Sequence, residues 1–140
     1  MNSQNRIEQF EHGLEKALAK THKNIMGRGP IQTEVRIVGN AVFTRFETEL
    51  IGSEKLLLGF LNENRHTYSY FEYLRGISIP IYERMFTRIN KLLRITGMEF
   101  RVDDNYTFML ITLSSDLRLL IESGAANEPP NIEDTANLTI

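Results

Sequence analysis

The sequence predicts an α+β fold: an N-terminal helix, two β-hairpins that form a four-stranded, mainly antiparallel sheet, and helices between the hairpins that pack on one face of it. Two observations lead to this prediction. Alternating apolar and polar residues flank Gly39-Asn40 and the polar stretch 103–105, as they do in β-hairpins. Apolar residues at helical spacing fill the segments before and between these two hairpins.

Composition is that of one ordinary domain. The chain has 140 residues, of which 41% are hydrophobic and 24% charged, with a formal net charge of −2. Because dedicated nucleic-acid binders carry a strong basic excess, we expect no nucleic-acid partner. The apolar run 56–61 is far shorter than the roughly 20 residues that span a bilayer, and the N-terminus lacks a secretory apolar core. We therefore expect a cytoplasmic protein without direct membrane insertion.

The first helix is predicted over residues 5–25. Asn5 and Glu8 resemble a capping box at its start, and the glycines and proline of 27–30 should end it. Its helical periodicity assigns a set of charged residues to the solvated side. These are Glu8, Glu11, Glu15, Lys16 and Lys20.

The first hairpin is predicted over 33–38 and 41–48. If Gly39 and Asn40 form the turn, Val38 pairs with Ala41 and the rest of the register follows. Glu34 then lies opposite Arg45, which is a stabilising cross-strand pair. The core face is predicted to carry Val35, Ile37, Val42, Thr44 and Phe46. The second face is predicted to carry Arg36, Phe43 and Arg45, with Tyr106 and Phe108 from the other hairpin.

A short apolar helix is predicted over 54–61, a loop over 62–67, and mostly helix from 68 to Gly97. Two interpretations stay open at 76–80. Ser78 caps a new helix with Pro80 in its first turn, which we favour, or Pro80 lies within one long helix. The aromatic cluster Tyr68, Tyr70, Phe71 and Tyr73 suits either a core or an intersubunit contact.

The second hairpin is predicted over 98–102 and 106–113, and a last short helix over 115–122. Residues 1–122 therefore form a single α+β domain. The segment 123–140 has acids, Asn and Pro but no basic residue. This composition is typical of a flexible or loosely docked acidic tail.

One loop is a candidate ligand-binding element. Glycines allow close backbone approach to a ligand, and an arginine between them can hold a phosphate or carboxylate with two hydrogen bonds. The loop follows a helix, however, whereas phosphate-binding loops normally follow a strand and open a helix, so a helix C-cap is the favoured role of its glycines. The candidate anion site consists of Gly27, Arg28, Gly29 and Pro30 with the sheet-face residues Arg36 and Arg45.

A basic stripe on the predicted helix 81–95 is a second candidate, as a surface for an acidic partner. The favoured alternative is the solvated side of a core helix. The stripe consists of Arg84, Arg88, Lys91 and Arg94.

No set of residues predicts a reaction or a metal site. His12, His22 and His66 are too dispersed to share an ion, and each is expected at the surface. The acid pairs 103–104 and 47/49 have no other group converging on them, and there is no serine nucleophile motif. We therefore expect no catalytic residue, no metal and no cofactor.

Several of these features resemble one family. The helix ending in Gly27-Arg28-Gly29-Pro30, the strand Val35-Arg36-Ile37, Gly39, and Val42 with Arg45 resemble the small bacterial MpsC family, named as component C of a sodium-translocating, membrane-potential-generating system. The resemblance continues through Leu50, Glu54-Lys55, Leu57 and Thr96-Gly97 and covers residues 7–113. It implies a small cytosolic accessory protein linked to a membrane ion or bicarbonate system.

The sequence thus supports two hypotheses. The leading one is a non-enzymatic accessory or regulatory protein that acts by protein–protein binding, forms a homodimer and has a possible membrane-protein partner. The alternative is a sensor domain that binds a small anion or metabolite through Arg28, Arg36 and Arg45.

Overall fold

The computed structural model describes residues 3–48, 52–63, 67–103 and 105–130. In chain order these form α1 (Ser3–Met26), β1 (Gln32–Val38), β2 (Ala41–Glu47), α2 (Gly52–Glu63), α3 (Thr67–Ile89), β3 (Ile95–Asp103), β4 (Tyr106–Leu113) and α4 (Leu117–Glu122). The strands make one antiparallel sheet in the order β1-β2-β4-β3. The predicted α+β fold is confirmed.

Across the described residues, the helices are all too short or too polar to traverse a bilayer.

The register of the first hairpin is confirmed residue by residue. Val38 pairs with Ala41, and Glu34 lies opposite Arg45. Gly39 takes a positive φ of 59°, which a glycine adopts without strain. A slip of one residue would turn the whole apolar set to solvent, so the alternating pattern fixes this pairing.

The core lies between one face of the sheet and the helices α1, α3 and α4. The residues predicted for the core face of the first hairpin are all buried: Val35, Ile37, Val42, Thr44 and Phe46. The largest buried side chains from the helices are Phe10, Leu14 and Leu18 of α1, and Tyr82, Met85 and Phe86 of α3. The opposite face of the sheet carries Phe43, Leu110 and Tyr106, which are partly exposed.

Helix side chains satisfy backbone groups on both edge strands. On β1, the N–H of Ile37 donates to the Glu11 carboxylate at 2.9 Å and the N–H of Val35 donates to Glu15 at 3.4 Å. The prediction that Glu11 and Glu15 belong to the solvated side of α1 is therefore wrong. They lie along the strand because an unpaired edge N–H favours an acceptor brought to it by the neighbouring helix.

Side chains of α3 form the same kind of hydrogen bond with the other edge strand, β3. The Ile95 N–H donates to the Glu83 carboxylate at 2.8 Å, and the Arg75 guanidinium donates to the carbonyl of Met98 at 3.1 Å. Both edges of the sheet therefore use backbone groups for contacts with helices of the same chain.

The favoured break at 76–80 is wrong, because α3 runs continuously through Pro80. Proline removes one backbone hydrogen bond from a helix interior. Here Ser78, Ile81 and Tyr82 are all buried around that position. Packing on both sides of the proline therefore holds the helix together.

The predicted end of this helix at Gly97 is also wrong. The helix ends at Ile89, and the Asn90 side chain accepts from the N–H of Leu92 at 2.9 Å in a turn. Leu92, which follows the end of the helix, is 74% exposed. The residues from Ile95 onward pair with β4 instead, with a register shift between Ile95 and Gly97. Pairing with a buried central strand outweighs the helical pattern of a short apolar run.

The first eight residues of the segment predicted as a flexible tail pack on the domain. Ala126 is buried, and the N–H of Asn127 donates to the carbonyl of Ile89 at 2.7 Å. A Cβ added at Gly13 of α1 would lie 2.8 Å from the carbonyl oxygen of Pro130. Glycine at position 13 therefore permits close approach of this segment to α1. Residues 131–140 lie outside the described residues.

Thr44→Val should stabilise the protein. The Thr44 hydroxyl is fully buried and has no hydrogen-bond partner among the described residues. Replacing it by a methyl group of similar shape removes an unsatisfied polar group, so we expect the free energy of unfolding in urea to rise by about 1–2 kcal/mol. Thr21→Val is the matched control, because the buried Thr21 hydroxyl donates to the Ala17 carbonyl at 2.8 Å. An equal gain in both variants would contradict this explanation.

Candidate functional site

A cavity opens between the C-terminal end of α1, the helix α2, the first half of α3 and the strands β3 and β4. Its volume is about 120 Å³. Apolar side chains form most of its wall, including Ile25, Leu58, Leu74, Phe71 and Phe100. The rings of Phe71 and Phe100 stack with centroids 6.1 Å apart, which joins α3 to β3 at the wall. An apolar cavity of roughly 150 Å³ holds a benzene-sized molecule, so this one suits a small ligand.

The polar side chains that line this apolar cavity include His22 of α1, and Ser78 and Tyr82 of α3. Ser78 and Tyr82 are almost entirely buried. The hydrogen bonds among the described residues include none from the His22 ring or from the hydroxyls of Ser78 and Tyr82. Among the described residues, the side-chain atoms that are both sealed from solvent and unpaired are the hydroxyls of Thr33 and Thr44, so the polar atoms of His22, Ser78 and Tyr82 keep some accessible surface. They therefore have hydrogen-bonding capacity that a molecule in the cavity can use.

Burial determines the protonation states of His22 and Tyr82. The His22 ring stacks on Phe46 with centroids 4.3 Å apart, and burial lowers the pKa of His22 to about 4. Burial also raises the pKa of the Tyr82 phenol above its usual value. Both side chains are neutral at pH 7. The inner part of the cavity thus offers neutral donors and acceptors.

An ion pair lies at the mouth of the cavity. Gly27 takes a φ of 84° and its N–H donates to the Lys23 carbonyl at 2.8 Å, which ends α1 as a glycine C-cap does. The chain then turns so that the Arg28 guanidinium lies 3.4 Å from the Glu54 carboxylate of α2. Tyr70 is beside them: burial raises the pKa of its phenol, and the charge of Glu54 raises it further.

Helix α2 forms the outer wall of the cavity and packs loosely. Leu57 and Leu58 line the cavity, but none of the described side chains of α2 is buried. Leu56 and Phe60 are 77% and 58% exposed. The Arg28–Glu54 pair is itself half-exposed, and such pairs contribute at most about 1 kcal/mol. Segments with so little buried surface open at low free-energy cost, so α2 is suited to admit a ligand.

The structure separates the arginines of the predicted anion site. Arg28 lies at the cavity mouth with Gly29, on the core side of the sheet, and Gly27 and Pro30 flank it in the loop. Arg36 and Arg45 project from the opposite face. There the Glu34 carboxylate contacts both guanidinium groups, at 2.9 Å to Arg36 and 2.7 Å to Arg45. The three arginines do not converge.

The basic stripe divides between a helix and a loop. Arg84 and Arg88 lie on the exposed side of α3, whereas Lys91 and Arg94 follow its end. The Arg94 guanidinium donates to the carbonyls of Lys91 and Leu93, at 2.9 and 2.8 Å. No ion pair involves these four residues within the described ranges.

Sequence reasoning missed His22, Ser78 and Tyr82. His22 was expected at the surface, yet it lies four residues after Leu18 and three before Ile25, on the apolar side of α1. Ser78 and Tyr82 likewise continue the helical spacing of Phe71 and Leu74 once α3 is continuous. His12 is exposed beside Glu15, and His66 lies outside the described residues. In the described ranges, no three acidic or histidine side chains are grouped closely enough to hold a metal ion.

The cavity aromatics include two members of the predicted aromatic cluster. Tyr70 and Phe71 line the wall, with their rings 5.5 Å apart, edge to face. Tyr73 points to solvent and is 69% exposed. The side chain of Tyr68 lies outside the described part of the structure. This part of α3 therefore contributes both to the cavity wall and to the exposed surface.

Acidification should destabilise the protein through His22. Its pKa is about 4 in the folded state, against 6.5 for the free side chain, so the unfolded state binds more protons between those two values. The stabilisation is complete above pH 6.5 and is lost as the pH falls to 4, by about 3 kcal/mol. Unfolding measured in urea at pH 7 and pH 4 should show this loss in the wild type and a correspondingly smaller loss in His22→Asn. Equal pH dependence in the wild type and His22→Asn would contradict the assignment.

Comparison with protein-family models, with curated proteins and with solved structures finds no match to this chain. We therefore infer function from the geometry of its own residues.

Proposed function

We propose that this chain is a non-enzymatic regulatory protein that responds to a small molecule bound in the cavity beneath α2. The observation that carries this proposal is the convergence of His22, Ser78 and Tyr82, without hydrogen-bond partners among the described residues, on an apolar cavity. A largely apolar pocket with a few placed polar groups is the usual form of a small-molecule site. A ligand that hydrogen-bonds to these groups gains both orientation and affinity from them.

The geometry favours a neutral ligand with an apolar body of about six to eight non-hydrogen atoms, judged from the size of cavities that hold benzene. The inner polar groups are neutral at pH 7, so they suit a hydroxyl, carbonyl or amide group. A carboxylate would need Arg28, whose guanidinium already contacts Glu54 at 3.4 Å. In this form of the sensor hypothesis, the residues of the cavity bind the ligand, instead of Arg28, Arg36 and Arg45.

The same groups support binding rather than reaction. With a pKa of about 4, the His22 ring is a weak base at neutral pH, whereas general bases work best with a pKa near the working pH. The Glu54 carboxylate is held by Arg28 at the mouth. The proposed output is mechanical: an occupied cavity holds Leu57 and Leu58 of α2 in place, which orders the exposed side of that helix.

Protein–protein binding is the second candidate function. The observation that favours it is the partly exposed aromatic face of the sheet, which carries Phe43, Tyr106 and Phe108. The resemblance to the MpsC family supports a cytoplasmic accessory protein that docks on a membrane ion or bicarbonate system. In that proposal the exposed residues Arg84, Arg88, Lys91 and Arg94 meet an acidic partner segment.

The cavity hypothesis can be tested with hexan-1-ol and hexanoate, two probes of equal chain length. We expect saturable binding of hexan-1-ol at millimolar concentration, with amide chemical-shift changes at residues around Ser78 and in α2, and weaker binding of hexanoate. Tyr82→Phe should weaken hexan-1-ol binding about fivefold, as expected for loss of one neutral hydrogen bond.

Tyr73→Phe is the matched control, since it makes the same change on the same helix at an exposed position. It should leave the affinity for hexan-1-ol unchanged. Absence of saturable binding of either probe to the wild type, or equal hexan-1-ol affinity in Tyr82→Phe, would contradict the proposal.

A further inference from the structure

One face of the sheet has an apolar centre that no described helix covers. Phe43 and Leu110 pair across β2 and β4 and are 41% and 37% exposed, and Phe108 and Tyr106 continue this surface along β4. The rings of Phe43 and Phe108 are 6.0 Å apart, and those of Tyr106 and Phe108 are 6.3 Å apart. We call this surface, with the charged residues that border it, the outer face.

The charged residues at the two edges of the outer face alternate in sign both across the strands and along them. The strand register places Arg36, Phe43, Leu110 and Glu99 in one row across the four strands. The next row contains Glu34, Arg45, Phe108 and Arg101. The positive Arg36 and the negative Glu34 are thus at one edge, and the negative Glu99 and positive Arg101 face them at the other edge, about 14 Å away for three strand spacings.

We propose that a second copy of this chain covers the outer face and forms a two-fold symmetric dimer. A two-fold interface must be complementary to itself, and the charges at the two edges of the outer face meet this requirement. An axis along the strands places Arg36 against the partner's Glu99, and Glu34 against the partner's Arg101. An axis across the strands places Glu99 against the partner's Arg101. In both arrangements Leu110 lies against an aromatic ring of the partner, and Arg45 lies against the partner's Phe108 or the partner's Phe43.

The edges of the sheet offer no equivalent site. On β1 the N–H groups of Val35 and Ile37 donate to α1 carboxylates, and on β3 Ile95 and Met98 are bonded to side chains of α3. Edge-to-edge pairing of two copies would have to break these contacts. Glu99 and Arg101 make no ion pair with other described residues, so both are open to a partner.

The size of the outer face predicts a modest affinity. Four strands of about seven residues cover roughly 19 by 24 Å, which is near the lower limit for specific interfaces. We therefore expect a dimer with a dissociation constant in the micromolar range. This inference deepens the protein-binding candidate by naming the partner, and it is independent of the cavity.

The test uses analytical ultracentrifugation of the full chain at concentrations up to 200 µM, roughly the range in which a micromolar dimer assembles. The wild type should dimerise. Arg36→Glu and Glu99→Arg each bring like charges together in either arrangement, so each should raise the dissociation constant about tenfold or more. The Lys16→Glu control makes a similar charge change at an exposed position of α1 and should leave it unchanged. Circular dichroism confirms that each variant is folded.

Mixing the variants identifies contacts between chains. A mixture of Arg36→Glu with Glu99→Arg restores opposite charges in a heterodimer if the axis lies along the strands. A mixture of Glu99→Arg with Arg101→Glu does so if the axis lies across them. Recovery of dimer in either mixture supports the proposal.

Three results would overturn it: a monomeric wild type, unchanged dimerisation in the charge-reversal variants, or no recovery in either mixture. Tyr82→Phe should still dimerise, because the cavity is on the other side of the sheet. Loss of hexan-1-ol binding and loss of dimerisation are therefore separate outcomes.

Discussion

Hydrogen bonds between helix side chains and the backbone of the two edge strands determine where the helices lie in the described structure. Glu11 and Glu15 tie α1 to β1, while Glu83 and Arg75 tie α3 to β3. Both helices must lie on the same face of the sheet to reach these edges and bury the core. That leaves the other face without a cover from the described chain. The same placement leaves a gap between the helices near the end of α1, where α2 closes the cavity.

The sequence predicts structure well where one physical rule acts alone. Around Gly39 the turn residues and the alternating pattern agree, so the register follows without knowledge of the rest of the chain. Prediction fails where local preference competes with packing. Pro80 disfavours a helix interior, but buried Ser78 and Tyr82 hold the helix continuous. Ile95 continues a helical pattern, but it pairs with Leu113 of the central strand.

The candidate site was less predictable than the fold because its residues come from distant segments. His22, Tyr82 and Phe100 meet only after α1, α3 and β3 pack together, and periodicity reports the face of each element but not its neighbours. Strand alternation does place Arg36 and Arg45 on the outer face. Arg28, in contrast, lies in a loop on the core side of the sheet. The three arginines that the sequence analysis assigned to one anion site therefore lie on two sides of the sheet.

Pro80 lies between Ser78 and Tyr82, two of the residues that line the cavity. Since proline has no N–H, the carbonyl of Gly76 lacks its usual helical donor, and the backbone ladder is interrupted between the two hydroxyls of the site. The residues after this gap, such as Met85 and Ile89, are anchored in the core, whereas Tyr70, Phe71 and Leu74 before it form the cavity wall. A bend of α3 at this gap would move the cavity wall while the residues anchored in the core keep their places. In the proposed sensor, ligands of somewhat different length would then fit the same cavity.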